Sequence, residues 1–74
     1  MPLHDFCIHF SSPETPNTVA QALHGVGADD FYVDRGRIDF TLTDESFGQA
    51  VIRALDWVRR GGVELTIHRI VNLG

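Results

Sequence analysis

Three side chains of this sequence carry atoms that bind metals or take part in nucleophilic catalysis: Cys7, His9 and His68. Thiolate and imidazole are common zinc ligands, and residues two apart on a β-strand point to the same face. A cysteine beside a histidine base can also attack a substrate. However, the sequence has no Cys-x-x-Cys or His-x-x-x-His spacing, and no turn is marked as an oxyanion hole. We therefore expect neither a metal site nor a catalytic site, and no cofactor.

Length, charge and cysteine content exclude several other classes of protein. The chain has 74 residues, enough for one domain over residues 1–74 and too few for a second. Its net charge is −4 and its six basic residues are all arginines, whereas a nucleic-acid-binding domain carries a basic face. One cysteine excludes an internal disulfide, and no apolar run is long enough to span a membrane. We expect a cytoplasmic protein that binds neither nucleic acid nor membrane.

Two segments with alternating apolar and polar residues predict half-buried strands near the two ends of the chain. In the first, over residues 3–10, the apolar face contains Phe6. In the second, over residues 63–71, the apolar face contains Leu65 and Ile67. The residues expected on the opposite, polar faces are Asp5, Cys7, His9, Glu64, Thr66 and His68.

Two further segments have the periodicity of amphipathic helices. Thr15 is suited to cap the first helix with Pro16 in its first turn, and Gly25 is suited to end it. Thr43 or Asp44 is suited to cap the second helix. Trp57 is expected to cover the rim of the core, and Gly61-Gly62 is expected to end the helix. The residues of the buried apolar stripe are expected to be Phe47, Ala50, Val51, Ala54, Leu55 and Val58.

The residues on either side of Arg35-Gly36 predict a β-hairpin. With these two residues in the turn, Val33 lies opposite Ile38, so that apolar side chains meet. A shift by one residue would mix the two faces, so the alternation itself specifies the register. The expected pairs are Asp34–Arg37, Val33–Ile38, Tyr32–Asp39 and Phe31–Phe40.

The elements follow the order strand, helix, strand, strand, helix, strand, and right-handed crossovers restrict how this order can fold. The result is the split βαβ, or ferredoxin-like, α+β arrangement. We expect an antiparallel sheet with the strand order 4-1-3-2, both helices on one face and the other face open. The side chains expected on the open face from the two hairpin strands are Tyr32, Asp34, Arg37, Asp39, Thr41 and Thr43.

Two registers remain open for the pairing of the first strand with the fourth. Both assume that even-numbered residues of the first strand face odd-numbered residues of the fourth, so that the core faces match. One register places Asp5 opposite His68 and His9 opposite Glu64, and the other places Cys7 opposite His68. We prefer the first because it pairs opposite charges. In either register Cys7 is an outward-pointing thiol on a polar face, where it packs little.

The second half of the chain contains a set of residues that is similar to one found in a known family of small domains. These residues are Arg37, Ile38, Phe40, Ser46, Ala50, Val51, Ala54, Val58, Gly62, Val63, Leu65, Ile67, Arg69 and Ile70. Through them the chain resembles a small α/β domain found at the N-terminus of some actinobacterial helix-turn-helix regulators. The resemblance implies the same fold and a regulatory or interaction role, and it carries over no functional residue.

These observations predict a non-catalytic protein-interaction or regulatory module that binds a protein partner or a second copy of itself. A small core gains stability from association, and the fourth strand offers an unpaired edge followed by an apolar tail. One alternative is a phage-type inhibitor, such as an anti-CRISPR protein, that blocks a basic nucleic-acid-binding surface. Another is a small enzyme or metal-binding protein that uses Cys7, His9 and His68. The residues expected to bind the partner are Glu64, Thr66, His68, Ile70 and Leu73.

Overall fold

The structure, a computed structural model that describes residues 1–74, contains the six expected elements in the expected order. They are β1 (Leu3–Ser11), α1 (Pro16–Gly25), β2 (Phe31–Asp34), β3 (Arg37–Thr43), α2 (Phe47–Gly61) and β4 (Thr66–Asn72). The four strands form one antiparallel sheet in the order β2-β3-β1-β4. The prediction of a ferredoxin-like α+β fold, with β1 and β3 in the centre of the sheet, is confirmed.

The hydrophobic core lies between one face of the sheet and the two helices. Phe6 on β1 stacks on Phe40 of β3, with ring centroids 5.5 Å apart, and Phe40 in turn stacks on Trp57 of α2 at 6.1 Å. Trp57 is only 9% exposed, so its predicted place with the core is confirmed. Burial of a side chain of this size contributes about 1.5–3 kcal/mol. The helices therefore cover one sheet face and leave the other without a covering layer.

The ends of α1 differ from the prediction on one side only. Thr15 caps the helix as expected, since its hydroxyl accepts a hydrogen bond from the N–H of Thr18 at 3.2 Å. The helix ends at Gly25 as expected, but Gly25 does not have the left-handed conformation expected of it, because the positive φ, +87°, falls at Gly27. The left-handed residue therefore comes two positions later than expected. The chain turns back toward the sheet there, and Ala28 is buried.

The cap of α2 is also displaced from the predicted position. Neither Thr43 nor Asp44 caps this helix; the side chain of Ser46 accepts from the N–H of Gln49 at 3.1 Å. β3 continues through Thr43, and the N–H of Asp44 donates to the carbonyl of Pro2, so the sheet extends further than the sequence pattern indicated. The expected end of α2 is confirmed, with Gly62 in the left-handed conformation.

The predicted hairpin is confirmed in all four pairs, from Asp34–Arg37 to Phe31–Phe40. Gly36 in the turn has a φ of +77°, whereas Arg35 does not have a positive φ. Only one turn residue therefore needs the conformation that glycine adopts without strain. That is why an arginine is acceptable at the first position of this turn.

Candidate functional site

The pairing of β1 with β4 controls which side chains meet on the open face, and both predicted registers are wrong. Ile8 lies opposite Ile70, so even-numbered residues face even-numbered residues from Phe6 to Ile8, whereas Phe10 lies opposite Ile67. The register shifts between His9 and Phe10, which leaves His68 as an extra residue on β4. Strict alternation along β4 would have turned Ile70 outward with His68. Because of the bulge, residues that precede it and residues that follow it can both direct side chains toward the core.

The predicted extent of β4, residues 63–71, is also wrong. The strand begins at Thr66 instead of Val63. Val63 and Leu65 still pack against the core, but they do so from the connection that precedes the strand. The strand is thus displaced along β1 by several residues relative to both predicted registers. As a result, the polar groups that the sequence analysis expected together are separated.

The structure brings two of the three candidate metal or catalytic residues together and leaves the third apart. The sulfur of Cys7 lies 3.3 Å from Nε2 of His9. His68 lies at the bulge, where its Nε2 is 2.9 Å from the hydroxyl of Ser11. No group of three or more histidine, cysteine, aspartate or glutamate side chains has a geometry that could hold a metal ion. The alternative site of Cys7, His9 and His68 is therefore not assembled.

Cys7 is also far more buried than an outward thiol on a polar face should be. It is only 1% exposed, although it lies on the face opposite the helices. Asp39 on β3 and Val71 on β4 lie directly beside it on the two neighbouring strands. These two neighbours flank Cys7 on the same face, and His9 contacts its sulfur. A nucleophile has to reach its substrate, and this thiol has no free surface at which to do so.

Paired polar groups occupy the part of the open face formed by β1 and β3. Arg37 and Asp39 form an ion pair at 2.6 Å, and the Asp39 carboxylate raises the pKa of the Arg37 guanidinium. The hydroxyl of Thr41 donates to the carboxylate of Asp5, also at 2.6 Å. The ion pair lies along β3, and the Thr41–Asp5 hydrogen bond joins β3 to β1. The large aromatic side chain on this face, Tyr32, is 63% exposed and lies on the edge strand β2.

The part of the open face beside β4 is apolar instead. Leu3 at the start of β1 is 59% exposed, and Leu73, just after β4, is 52% exposed. The N–H of Leu73 donates to the carbonyl of Asp5 at 2.8 Å, which brings the end of the chain alongside the start of β1. Val71 follows on the same face, half-buried. We call Leu3, Val71 and Leu73 the apolar corner; Leu3 was not among the residues expected to bind a partner.

The five residues expected to bind a partner do not form one continuous outward row. Glu64 lies before β4, and Thr66 is the first residue of the strand. His68 is the bulge residue, and Ile70 is half-buried against the core of its own chain. Leu73 is half-exposed on the open face. Of this set, Leu73 belongs to the apolar corner, whereas Ile70 already has a structural role.

The backbone of β4 leaves hydrogen-bonding groups free along the outer edge of the sheet. In an antiparallel pair, alternate residues turn their backbone groups toward the partner strand. Leu73 bonds to Asp5, so Val71 turns the same way. Ile70 and Asn72 therefore direct their N–H and C=O groups away from the sheet. This outer edge lies directly beside the apolar corner.

Fold and site together define a small ferredoxin-like domain with one uncovered sheet face and an exposed edge strand. Comparisons of the chain with family models, curated proteins and solved structures found no match. The resemblance to domains of actinobacterial regulators therefore stays a prediction. Neither helix has the length and apolar character that crossing a bilayer requires.

Proposed function

We propose that this chain is a non-catalytic protein-interaction module and that its partner binds along the outer edge of β4. The observation that carries the proposal is the unpaired backbone of Ile70 and Asn72 beside the apolar corner. Backbone groups on a sheet edge bind an added strand, and the neighbouring side chains supply apolar contact. Such an edge is a ready template for another chain unless the fold protects it.

The exposed surface of α2 is a poorer binding surface, because its charged side chains already bind one another. Asp56 pairs with Arg59 and, at 2.9 Å, with Arg60, and the hydrogen bond from Arg59 lowers the pKa of the Asp56 carboxyl. Arg53 pairs with Asp44 and lies over the ring of the buried tryptophan. A partner on this surface would have to order or desolvate these groups, which opposes binding.

A backbone-directed substitution tests the proposal. Asn72→Pro removes one N–H that points outward and leaves the bonds to β1 intact, since proline is tolerated on the open side of an edge strand. Asn72→Ala is the matched control, because both variants lose the side-chain hydrogen bond to the N–H of Gly74. A partner, or a second copy, that binds the wild type and Asn72→Ala should bind Asn72→Pro at least about tenfold more weakly. Equal binding by all three proteins would refute the β4 edge as the binding surface.

A second candidate function is inhibition of a protein with a basic, nucleic-acid-binding surface. Its support is the acidic composition at the other edge of the sheet, where Asp29, Asp30 and Asp34 are exposed and form no ion pair. Such carboxylates can replace phosphates on a basic surface. The affinity of such a complex falls steeply as the salt concentration rises. The double change Asp30→Asn with Asp34→Asn should also lower this affinity relative to the wild type. Binding through the edge of β4 should be insensitive to that double change.

A further inference from the structure

We infer that the partner at the edge of β4 is a second copy of this chain, paired antiparallel with Val71 of one copy opposite Val71 of the other. This inference rests on the proposed function and adds to it the occupant and the register. It follows from three observations: the direction of the backbone groups, the faces of the side chains, and the lack of an ion-pair partner for Arg69 on β4.

The backbone directions select this register. With the two Val71 residues opposite each other, Ile70 of each copy faces Asn72 of the other, and both residues turn their N–H and C=O groups outward. Each such pair exchanges two hydrogen bonds, so the two pairs make four. The bulge at His68 ends the regular pairing on one side, and Leu73 ends it on the other. A self-paired segment from Arg69 to Leu73 fits this space.

The side-chain faces agree with the same register. Val71 and Leu73 lie on the open face, and Ile70 lies on the helix face, in both copies. A shift by one residue would oppose the two faces and expose apolar side chains. A shift that centred the pairing on Arg69 would place like charges opposite each other. In the inferred register Val71 lies against Val71 of the second copy, and Leu73 lies diagonally beside that residue on the same face.

The charges support a second copy in particular. Four of the six arginines have ion-pair partners, whereas Arg35, in the hairpin turn, and Arg69, on β4, have none. In the inferred dimer, Arg69 lies opposite Leu73 of the second copy, and Asp5 of that copy is the next residue in the same row. The two Cα atoms are then two strand spacings, about 10 Å, apart. An arginine side chain can extend over the leucine to reach that carboxylate, and the symmetry makes the pair twice.

The overall charge of −4 does not oppose this contact. All ten aspartate and glutamate side chains lie at or before Glu64, so the segment from Leu65 onward carries no acidic side chain. The opposite edge differs, because β2 ends at Asp34 and follows Asp29 and Asp30. Two copies that met at β2 would bring carboxylates together. Of the two free edges, only β4 can pair with itself without repulsion between like charges.

Disulfide trapping tests the occupant and the register together. In a non-hydrogen-bonded antiparallel pair the Cα atoms are about 4.5 Å apart, within the range that a disulfide spans. Val71→Cys in a Cys7→Ala background should therefore give a covalent dimer with mild oxidant. The background removes the native thiol directly opposite position 71. Thr66→Cys in the same background is the matched control, since the two copies of that residue would lie about 27 Å apart when the bulge is taken into account.

The charge pair gives a second measurement that does not depend on oxidation. Arg69→Asp should weaken the dimer about tenfold, because it places carboxylates near one another twice. Asp5→Arg should weaken it similarly, and the two changes together should restore it. Restoration by the double change supports the pairing of Arg69 with Asp5 across the axis. Additive weakening, with no restoration, overturns it.

The outcomes separate this inference from the proposed function. A covalent dimer with Val71→Cys and none with Thr66→Cys supports the inference, provided that the Cys7→Ala background has the same solution mass as the wild type. Equal trapping at both positions overturns the register. A monomeric wild type at all concentrations overturns the second copy as occupant, and the Asn72→Pro comparison still decides whether another protein binds there. Species larger than a dimer would indicate β4 pairing with β2 of the next copy and would also overturn the inference.

Discussion

Ile8 on β1 lies directly opposite Ile70 on β4, although the alternation of residues along β4 turns Ile70 away from the core. The extra residue at His68 reconciles the two patterns, because a bulge displaces all later side chains to the opposite face. Ile67 thus pairs with Phe10 before the bulge and Ile70 pairs with Ile8 after it. One inserted residue decides which side chains of the last strand reach the core and which reach the open face.

Deletion of His68 should therefore be tolerated. The deletion leaves the pairs His9–Arg69 and Phe10–Ile67 adjacent in a regular strand, so no core side chain changes face. We expect the free energy of unfolding, measured by urea denaturation, to change by about 1 kcal/mol or less. Deletion of Ile70 is the control: it would place Arg69 opposite Ile8 at the core face, and we expect a loss of several kcal/mol. Similar stability of the two deletion variants would contradict the assigned bulge.

The thiol of Cys7 should be unreactive in the folded protein. With 1% of the residue exposed, the sulfur becomes accessible only when the sheet opens. Labelling by a thiol-specific disulfide reagent should be slow under native conditions and should accelerate in urea in parallel with unfolding. Fast labelling in the absence of denaturant would contradict the burial of this side chain.

Replacement of Cys7 should also cost more stability than the sequence analysis expected. A serine hydroxyl at this position keeps a hydrogen bond to His9 but is buried away from water, and we expect a loss of about 1–3 kcal/mol. In a His9→Ala background the same hydroxyl loses that partner, so the loss should be larger. A change close to zero in both backgrounds would support the original expectation of an outward, loosely packed thiol.

Gly36 should be the sensitive residue of the hairpin turn. Its φ of +77° strains any residue with a Cβ atom, so Gly36→Ala should lower the free energy of unfolding by about 1–2 kcal/mol. Arg35→Ala is the control at the neighbouring turn position, which has no positive φ, and it should change stability by less than about 0.5 kcal/mol. Equal effects would mean that the turn is not centred as described.

The pH dependence of stability should include a contribution from Asp56. The hydrogen bond from Arg59 lowers the pKa of this carboxyl below its ordinary value of 3.8. A group whose pKa is lowered on folding stabilises the fold above its unfolded pKa, and this stabilisation is lost as the pH falls through the folded pKa. In NMR titrations the pKa of Asp56 should rise toward 3.8 in Arg59→Gln. The acid limb of the stability curve should be shallower in Asp56→Asn than in wild type.

The parts of the fold that could be predicted are those in which local pattern and connection agree. The hairpin register followed from the alternation around Arg35-Gly36, because a two-residue turn leaves no freedom to slide the strands. The face of α2 likewise followed from helical spacing, and Trp57 lies where its size and position indicated.

The candidate site could not be predicted, because it depends on how distant strands align. β1 and β4 are separated by more than half the chain, and no short turn ties their register. The bulge at His68 has no marker in the sequence such as a glycine. The burial of Cys7 depends on Asp39 and Val71, which reach it from two other strands. The apolar corner likewise exists only because Leu73 returns beside the start of β1.

The central position of β1 also affects how the chain folds during its synthesis. β1 is made first, yet it pairs on one side with β3 and on the other with β4, the last strand to be made. One edge of β1 therefore has no partner until β4 has left the ribosome. Most of the sheet depends on such contacts between distant parts of the sequence, which slow folding. The sheet of this domain is completed only after β4 has emerged, and until then the nascent chain presents an open strand to its surroundings.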